Sequence, residues 1–230
     1  MIRIFIGYDK EEAIAYHVLA HSLMRHATQP ISITPLMINQ LPMTREREPL
    51  QSTDFSFSRF LVPYLCGYEG HAIFMDSDML CRSDITKLDF NLDAAISVVK
   101  HDYTPKTATK FLGNIQSPYR MKNWSSLMIF RNDACKALTP EYVNAASGME
   151  LHQFQWLNDA EIACLPVEWN HLVSEYEPNK DAKLVHYTLG TPCFRKYADC
   201  EFADEWYAEK HMMQYYNNRG EFSKEFRTGT

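Results

Sequence analysis

The stretch Ala72-Ile73-Phe74-Met75-Asp76-Ser77-Asp78-Met79-Leu80 decides how this chain is read. His71 to Met75 is a short apolar run of the kind that fills a buried strand, and it stops at Asp76. Side chains two apart in an extended segment point to the same side, so Asp76 and Asp78 can aim both carboxylates at one point. Two like charges that close repel and call for a cation or a shared proton. Hard oxygen ligands suit Mg²⁺ or Mn²⁺. The plainer alternative is a pair of solvated turn residues, because Asp is common in turns. The apolar flanks weigh against it, since an acidic pair set among apolar residues is costly unless something binds it.

Upstream, Ile2 to Ile6 has the composition of a buried strand that Gly7-Tyr8-Asp9 ends. A helix should follow, with Asp9 as its cap, Glu12 in the capping-box position, and Ala13, Tyr16, Ala20 and Leu23 on one face. Ile31 to Thr34 and Leu36 to Ile38 read as a second strand interrupted by Pro35. Strand, helix, strand opens an α/β fold, in which ligands bind beyond the carboxyl ends of the strands. Residues 39–57 read as loop, and Ser58 to Leu65 as a short helix leading into the acidic motif.

Downstream, Ala94 to Val99 and Ser125 to Phe130 are strand candidates. Between them, residues 100–123 carry Lys100, His101, Lys106, Lys110, Arg120 and Lys122 with few apolar positions. Such a segment suits a loop over phosphates, or one that is merely solvated. Asn132 or Asp133 should cap a helix to Leu138, and Thr139-Pro140-Glu141 should start another. Ile162 to Leu165 and Leu184 to Tyr187 are short strands. Ala203 to Asn217 reads as a helix, with Trp206, Tyr207, Met213 and Tyr216 available to pack. The simplest organisation is one domain over 1–230, with 200–230 a C-terminal helical tail.

Composition narrows the function. A net charge of −6 argues against nucleic acid as a partner, because phosphate neutralisation needs a surplus of Lys and Arg on one face. No run of about 18 apolar residues is present, so no transmembrane segment is expected. The opening strand is interrupted by Asp9-Lys10-Glu11-Glu12 too early for a secretory signal. Six cysteines without a CxxC pair read as reduced thiols, with Cys135 and Cys164 packed in apolar runs, and the expected location is cytoplasmic.

The order of several landmarks resembles the nucleotide-sugar glycosyltransferases of the GT-A fold, and within them the family 8-like retaining enzymes. The landmarks are Phe5-Ile6-Gly7-Tyr8-Asp9, Ser58-Arg59-Phe60, Phe74-Met75-Asp76-Ser77-Asp78, and Leu184-Val185-His186-Tyr187-Thr188-Leu189-Gly190. Trp124-Ser125-Ser126-Leu127 and Leu165-Pro166-Val167-Glu168-Trp169-Asn170 stand between the last two, and the likeness runs from residue 1 to about 195.

The resemblance implies a Rossmann-like domain with a mixed central sheet flanked by helices. It implies Mn²⁺ or Mg²⁺ held by Asp76, Asp78 and His186, and a hexose moved from a nucleoside diphosphate sugar, by family habit a uridine diphosphate sugar. The acceptor would be a carbohydrate or another hydroxyl compound, and transfer would proceed with retention. Gly7, Tyr8 and Asp9 would hold the nucleoside, with Arg59 touching phosphate or bracing a carboxylate. Ser77, Ser125, Ser126 and Gly190 would join the donor site, and Gln153 would stand at the reaction centre with the aspartates.

Two positions depart from the family pattern: His152 stands where an Asp is expected, and no Lys follows Gly190 in Gly190-Thr191-Pro192-Cys193-Phe194. Two rivals follow. One is a nucleotide-sugar-binding protein that does not catalyse. The other is a phosphatase-like hydrolase with Asp76 as nucleophile, although Leu80 stands where that chemistry wants a hydroxyl.

Overall fold

A computed structural model describes residues 1–48, 51–110, 113–115 and 118–215. Its strands are β1 (Ile2–Gly7), β2 (Ile31–Leu36), β3 (His71–Met75), β4 (Met79–Cys81), β5 (Ile96–Val98), β6 (Leu127–Arg131), β7 (Ile162–Cys164), β8 (His171–Leu172) and β9 (Leu184–His186). The helices are α1 (Ala13–His26), α2 (Val62–Leu65), α3 (Pro140–Ala145), α4 (Gly148–His152) and α5 (Ala203–Tyr215), with several 3₁₀ turns between elements. Six strands form a mixed sheet in the order β2-β1-β3-β6-β5-β7, in which β6 runs antiparallel to β3 and β5. A smaller sheet, β4-β9-β8, lies beyond the end of β3. This is the mixed α/β architecture the sequence predicts.

Alternation along the central strands divides the core. Phe5, Phe74, Met128 and Phe130 point into one apolar cluster; Ile4, Ile6, Ile73, Met75, Leu127 and Ile129 point into another. The second cluster is closed by Leu19, Ala20 and Leu23 of α1. A third joins α1 through Val18 to Leu80 and Val185 of the small sheet and to Trp206 of α5. Both sheets are therefore anchored on α1, which fixes the seam between them where the acidic motif lies.

Several expectations need correction. Pro35 does not interrupt β2: it pairs in register opposite Ile6, which is possible because β2 is an edge strand whose outer side needs no N–H donor. The buried face of α1 is Ala15, Val18, Leu19, Ala20, Ser22 and Leu23, which includes the expected Ala20 and Leu23, while Ala13 and Tyr16 are only half-buried. After β6 only a turn, Asn132–Ala134, forms, and no helix reaches Leu138. The reason is local: Arg131 is the capping position and offers no side-chain bond, while Asn132 donates to the Glu69 carbonyl. Ser125 and Ser126 sit in a 3₁₀ turn that precedes β6 rather than in the strand, entered through Asn123 at φ 63°. Cys164 is exposed, whereas Cys135 is fully buried. Tyr216 and Asn217, read as the end of the last helix, lie outside the described residues.

Candidate functional site

The chain does not stay extended through the acidic motif. Asp76, Ser77 and Asp78 form a bend that carries the backbone from β3 in the large sheet to β4 in the small one. Both ends of the bend are tied. The Asp76 N–H donates to the Ser126 carbonyl at 2.9 Å, and the Asp78 carbonyl accepts from the Tyr187 N–H at 2.8 Å. The second bond places β9 alongside, with His186 directly opposite Met79 in the antiparallel register. Asp76, Asp78 and His186 each thereby bring one ligand atom to a common point, all within 4.8 Å of one another.

The chemistry of this donor set fits a hard divalent cation with one imidazole ligand. His186 Nε2 lies 3.2 Å from Asp78 Oδ1, and Arg59 Nη1 lies 2.8 Å from Asp76 Oδ1. Neither contact has hydrogen-bond alignment, so both Oδ1 atoms are buried without a hydrogen-bond partner, as ligand atoms would be.

A hydrogen-bond chain fixes the imidazole. Ser126 Oγ–H donates to the Asn123 carbonyl at 2.6 Å, so its oxygen accepts from Asn170 Nδ2–H at 2.8 Å. That leaves Asn170 Oδ1 to accept from His186 Nδ1–H at 3.0 Å. Nδ1 therefore carries a proton, and Nε2 faces the carboxylates.

Arg59, on the turn before α2, is a brace. Its guanidinium also donates to the Ser125 carbonyl at 2.8 Å and lies over the rings of Phe74 and Phe55, 4.9 and 5.4 Å from their centroids. Burial pushes the Asp76 carboxyl up to about 6, against the pull of Arg59 and helped by the charge of Asp78. Burial pushes Asp78 upward as well, but the adjacent His186 and Lys110 outweigh it and hold that carboxyl below its ordinary range.

A cavity of about 570 Å³ opens on the motif, within the ~300–1,000 Å³ usual for small-molecule sites. Besides the three candidate ligands, its wall includes Arg59, Ser77, Ser125, Ser126 and Gln153. Gly7, Tyr8, Asp9 and Gly190 do not reach that wall. Gly7 gives way to the Phe55 ring, which would lie 2.3 Å from any Cβ there, and Tyr8 packs edge-on against Tyr16. Asp9 spends both oxygens on backbone, one on the Glu11 N–H as a cap and one on the Asp54 N–H. Gly190 has φ 142° and turns the chain after β9, its N–H bonded to the Tyr187 carbonyl.

Four further wall residues bear on the chemistry: Glu12, Lys110, Lys122 and His152. Glu12, read only as a capping-box acid, turns into the cavity instead of back to the Asp9 N–H, and its Oε2 is buried without a hydrogen-bond partner. Burial first, then the charges of Asp78 and Asp9, push its carboxyl up to about 9. An acid directly after a strand end and just ahead of an apolar helix was the available signal. Lys110 and Lys122 come from the cationic loop. His152 bonds Ser125 Oγ through Nδ1 at 2.7 Å, and burial, then Arg59, push it down to about 3, so it is neutral.

The fold is that of the GT-A glycosyltransferases. The apo structure of the bifunctional glycosyltransferase WbbM matches with a TM-score of 0.62 at 14% identity, over 91% of this chain and 49% of that one. The galactosyltransferase LgtC, in complex with donor and acceptor sugar analogues, matches with a TM-score of 0.56 at 10% identity, over 95% and 98% of the two chains. GlyE from Streptococcus pneumoniae matches with a TM-score of 0.56 at 12% identity, over 91% and 60%. This chain thus spans about half the length of the WbbM structure and under two thirds of GlyE. No family model matches. In sequence, the chain is 46% identical over 228 residues to Protein CDI of Arabidopsis thaliana, covering 94% of this chain and 87% of that protein. It belongs to the Protein CDI family.

Proposed function

We propose that this protein is a metal-dependent glycosyltransferase. It moves a hexose from a uridine diphosphate sugar to a hydroxyl acceptor, with retention, and residues 1–230 act as one transferase domain. The observation that carries the reading is the convergence of Asp76, Asp78 and His186 at the wall of the cavity beyond the carboxyl end of β3, on a GT-A fold.

Asp76, Asp78 and His186 would hold Mn²⁺ or Mg²⁺, which when bound neutralises a diphosphate and the charge on the departing nucleotide. Asn170 orients the imidazole and Arg59 holds the Asp76 carboxylate in place. Lys110 and Lys122 supply cationic charge for the phosphates from the loop side, in place of the Lys that the family pattern sets directly after the Gly, where Thr191 stands. Ser77, Ser125 and Ser126 face the donor sugar, and Gln153 stands beside the reacting carbon. Gly7, Tyr8, Asp9 and Gly190 shape the nucleoside side of the site from behind its wall. Neutral His152, bonded to Ser125, takes the place of the family's acid and adds no negative charge beside the sugar. Six unpaired cysteines accord with a reducing compartment, and we assign the cytoplasm.

The test is a panel of nucleotide sugars with Mn²⁺ or Mg²⁺, scored for release of nucleoside diphosphate and for thermal shift. Metal-dependent release with one donor, absent in Asp78→Asn, supports transfer. Metal-dependent binding without release, across a broad acceptor panel, would favour the non-catalytic reading that His152 and the missing Lys keep open. Release of inorganic phosphate from phosphate esters would favour a hydrolase instead, against which Leu80 lies buried in β4 with no hydroxyl to offer.

A further inference from the structure

A second cavity, of about 390 Å³, adjoins the first. Its wall comes from the two ends of the 100–123 loop, and Tyr119 and Lys122 line both cavities. Three cations, Lys100, Arg120 and Lys122, line it with one carboxylate, Asp102, and the exposed Arg120 guanidinium also lies 3.4 Å from Asp159. That balance is opposite to the −6 of the whole chain.

Aromatic surface lies among the cations. The Lys100 ammonium is 5.7 Å from the centroid of Trp124, and that of Lys122 is 4.9 Å from Tyr119. Trp124 is held by its Nε1–H, which donates to the His101 carbonyl at 2.7 Å. His101, which also lines this cavity, is buried at 6% exposure, and its Nδ1 lies 2.7 Å from the Tyr176 hydroxyl. Flat aromatic surface set among cations suits a sugar ring with an anionic substituent.

We propose that this second cavity is the acceptor subsite and takes a sugar bearing a phosphate or a carboxylate. The sugar ring lies on Trp124, and its anionic group meets Lys100 and Arg120. The inference rests on the transferase reading of the first cavity. In the transfer, the acceptor oxygen bonds the anomeric carbon of the donor sugar. The bond from that carbon to the diphosphate oxygen breaks with its electron pair, and the hydroxyl proton leaves with the diphosphate.

Calorimetric titration of the full chain tests it, with glucose 6-phosphate, glucuronate, glucose and inorganic phosphate as separate probes, and with uridine diphosphate plus Mn²⁺ as the donor control. At least one anionic sugar is expected to bind ten-fold or more tighter than glucose and than inorganic phosphate. Which of the two binds identifies the anionic group. The double variant Lys100→Ala, Arg120→Ala, both exposed positions, should weaken that binding ten-fold or more and leave uridine diphosphate binding unchanged. Equal binding of glucose, or an unaltered affinity in the double variant, overturns the proposal. So does the absence of sugar binding while uridine diphosphate with Mn²⁺ still binds. Failure of the control itself would instead strike the donor reading on which the proposal stands.

Discussion

Replacing Glu12 by Gln should make the metal-free protein more stable at neutral and alkaline pH. Unfolded, Glu12 releases its proton near 4.5; folded, it keeps it to about 9, because burial and the charges of Asp78 and Asp9 oppose ionisation. Between those values the folded state holds one more proton than the unfolded state, so stability falls as pH rises. The slope is about 1.4 kcal/mol per pH unit. From pH 6 to pH 8 the parent should therefore lose about 3 kcal/mol relative to Glu12→Gln, whose amide has the same shape and does not titrate. Urea unfolding of both proteins in chelator-treated buffer, at half-unit steps from pH 5.5 to 8.5, gives the difference directly. Groups that do not interact with Glu12 titrate alike in both proteins and cancel. Parallel profiles would show that Glu12 ionises freely, which would refute the burial argument.

Asn170→Leu leaves His186 Nδ1 without its acceptor and should weaken Mn²⁺ binding about 10–100-fold with little change in secondary structure; calorimetry with Mn²⁺ measures it. Arg59→Met removes one partner of a buried pair and should cost about 3–5 kcal/mol of stability in metal-free urea unfolding, with a smaller loss when Mn²⁺ and uridine diphosphate are present. Gly7→Ala sets a methyl against the Phe55 ring and should cost about 1–3 kcal/mol, read as a lowered thermal midpoint; an unchanged midpoint would mean that the ring moves aside freely.

The strands that position the site were legible because they are short apolar runs ended by a change of polarity: His71–Met75 was read with the observed bounds, and Ile2–Gly7 within one residue. The acidic pair stood out because it interrupts such a run. What the sequence could not disclose is the bend at Ser77 that passes the chain between two sheets, since period-two logic assumes one sheet. Convergence is secured instead by the Asp78–Tyr187 backbone bond, a contact across about a hundred residues. Pro35 misled because edge and central strands look alike until the strand order is known. Glu12 was hidden by an equally good local explanation as a helix-start acid, and only the packing of α1 turns it into the cavity. Arg59 was read as either a phosphate contact or a carboxylate brace. Its 2.8 Å approach to Asp76 gives the second role a structural basis.

Mn²⁺ titration followed by electron paramagnetic resonance, with uridine diphosphate present, tests the metal centre most directly. One Mn²⁺ per chain should bind in the parent, and Asp78→Asn or His186→Ala should weaken it by about two orders of magnitude or more while the variants remain folded. Equal Mn²⁺ affinity in the parent and both variants would contradict the account.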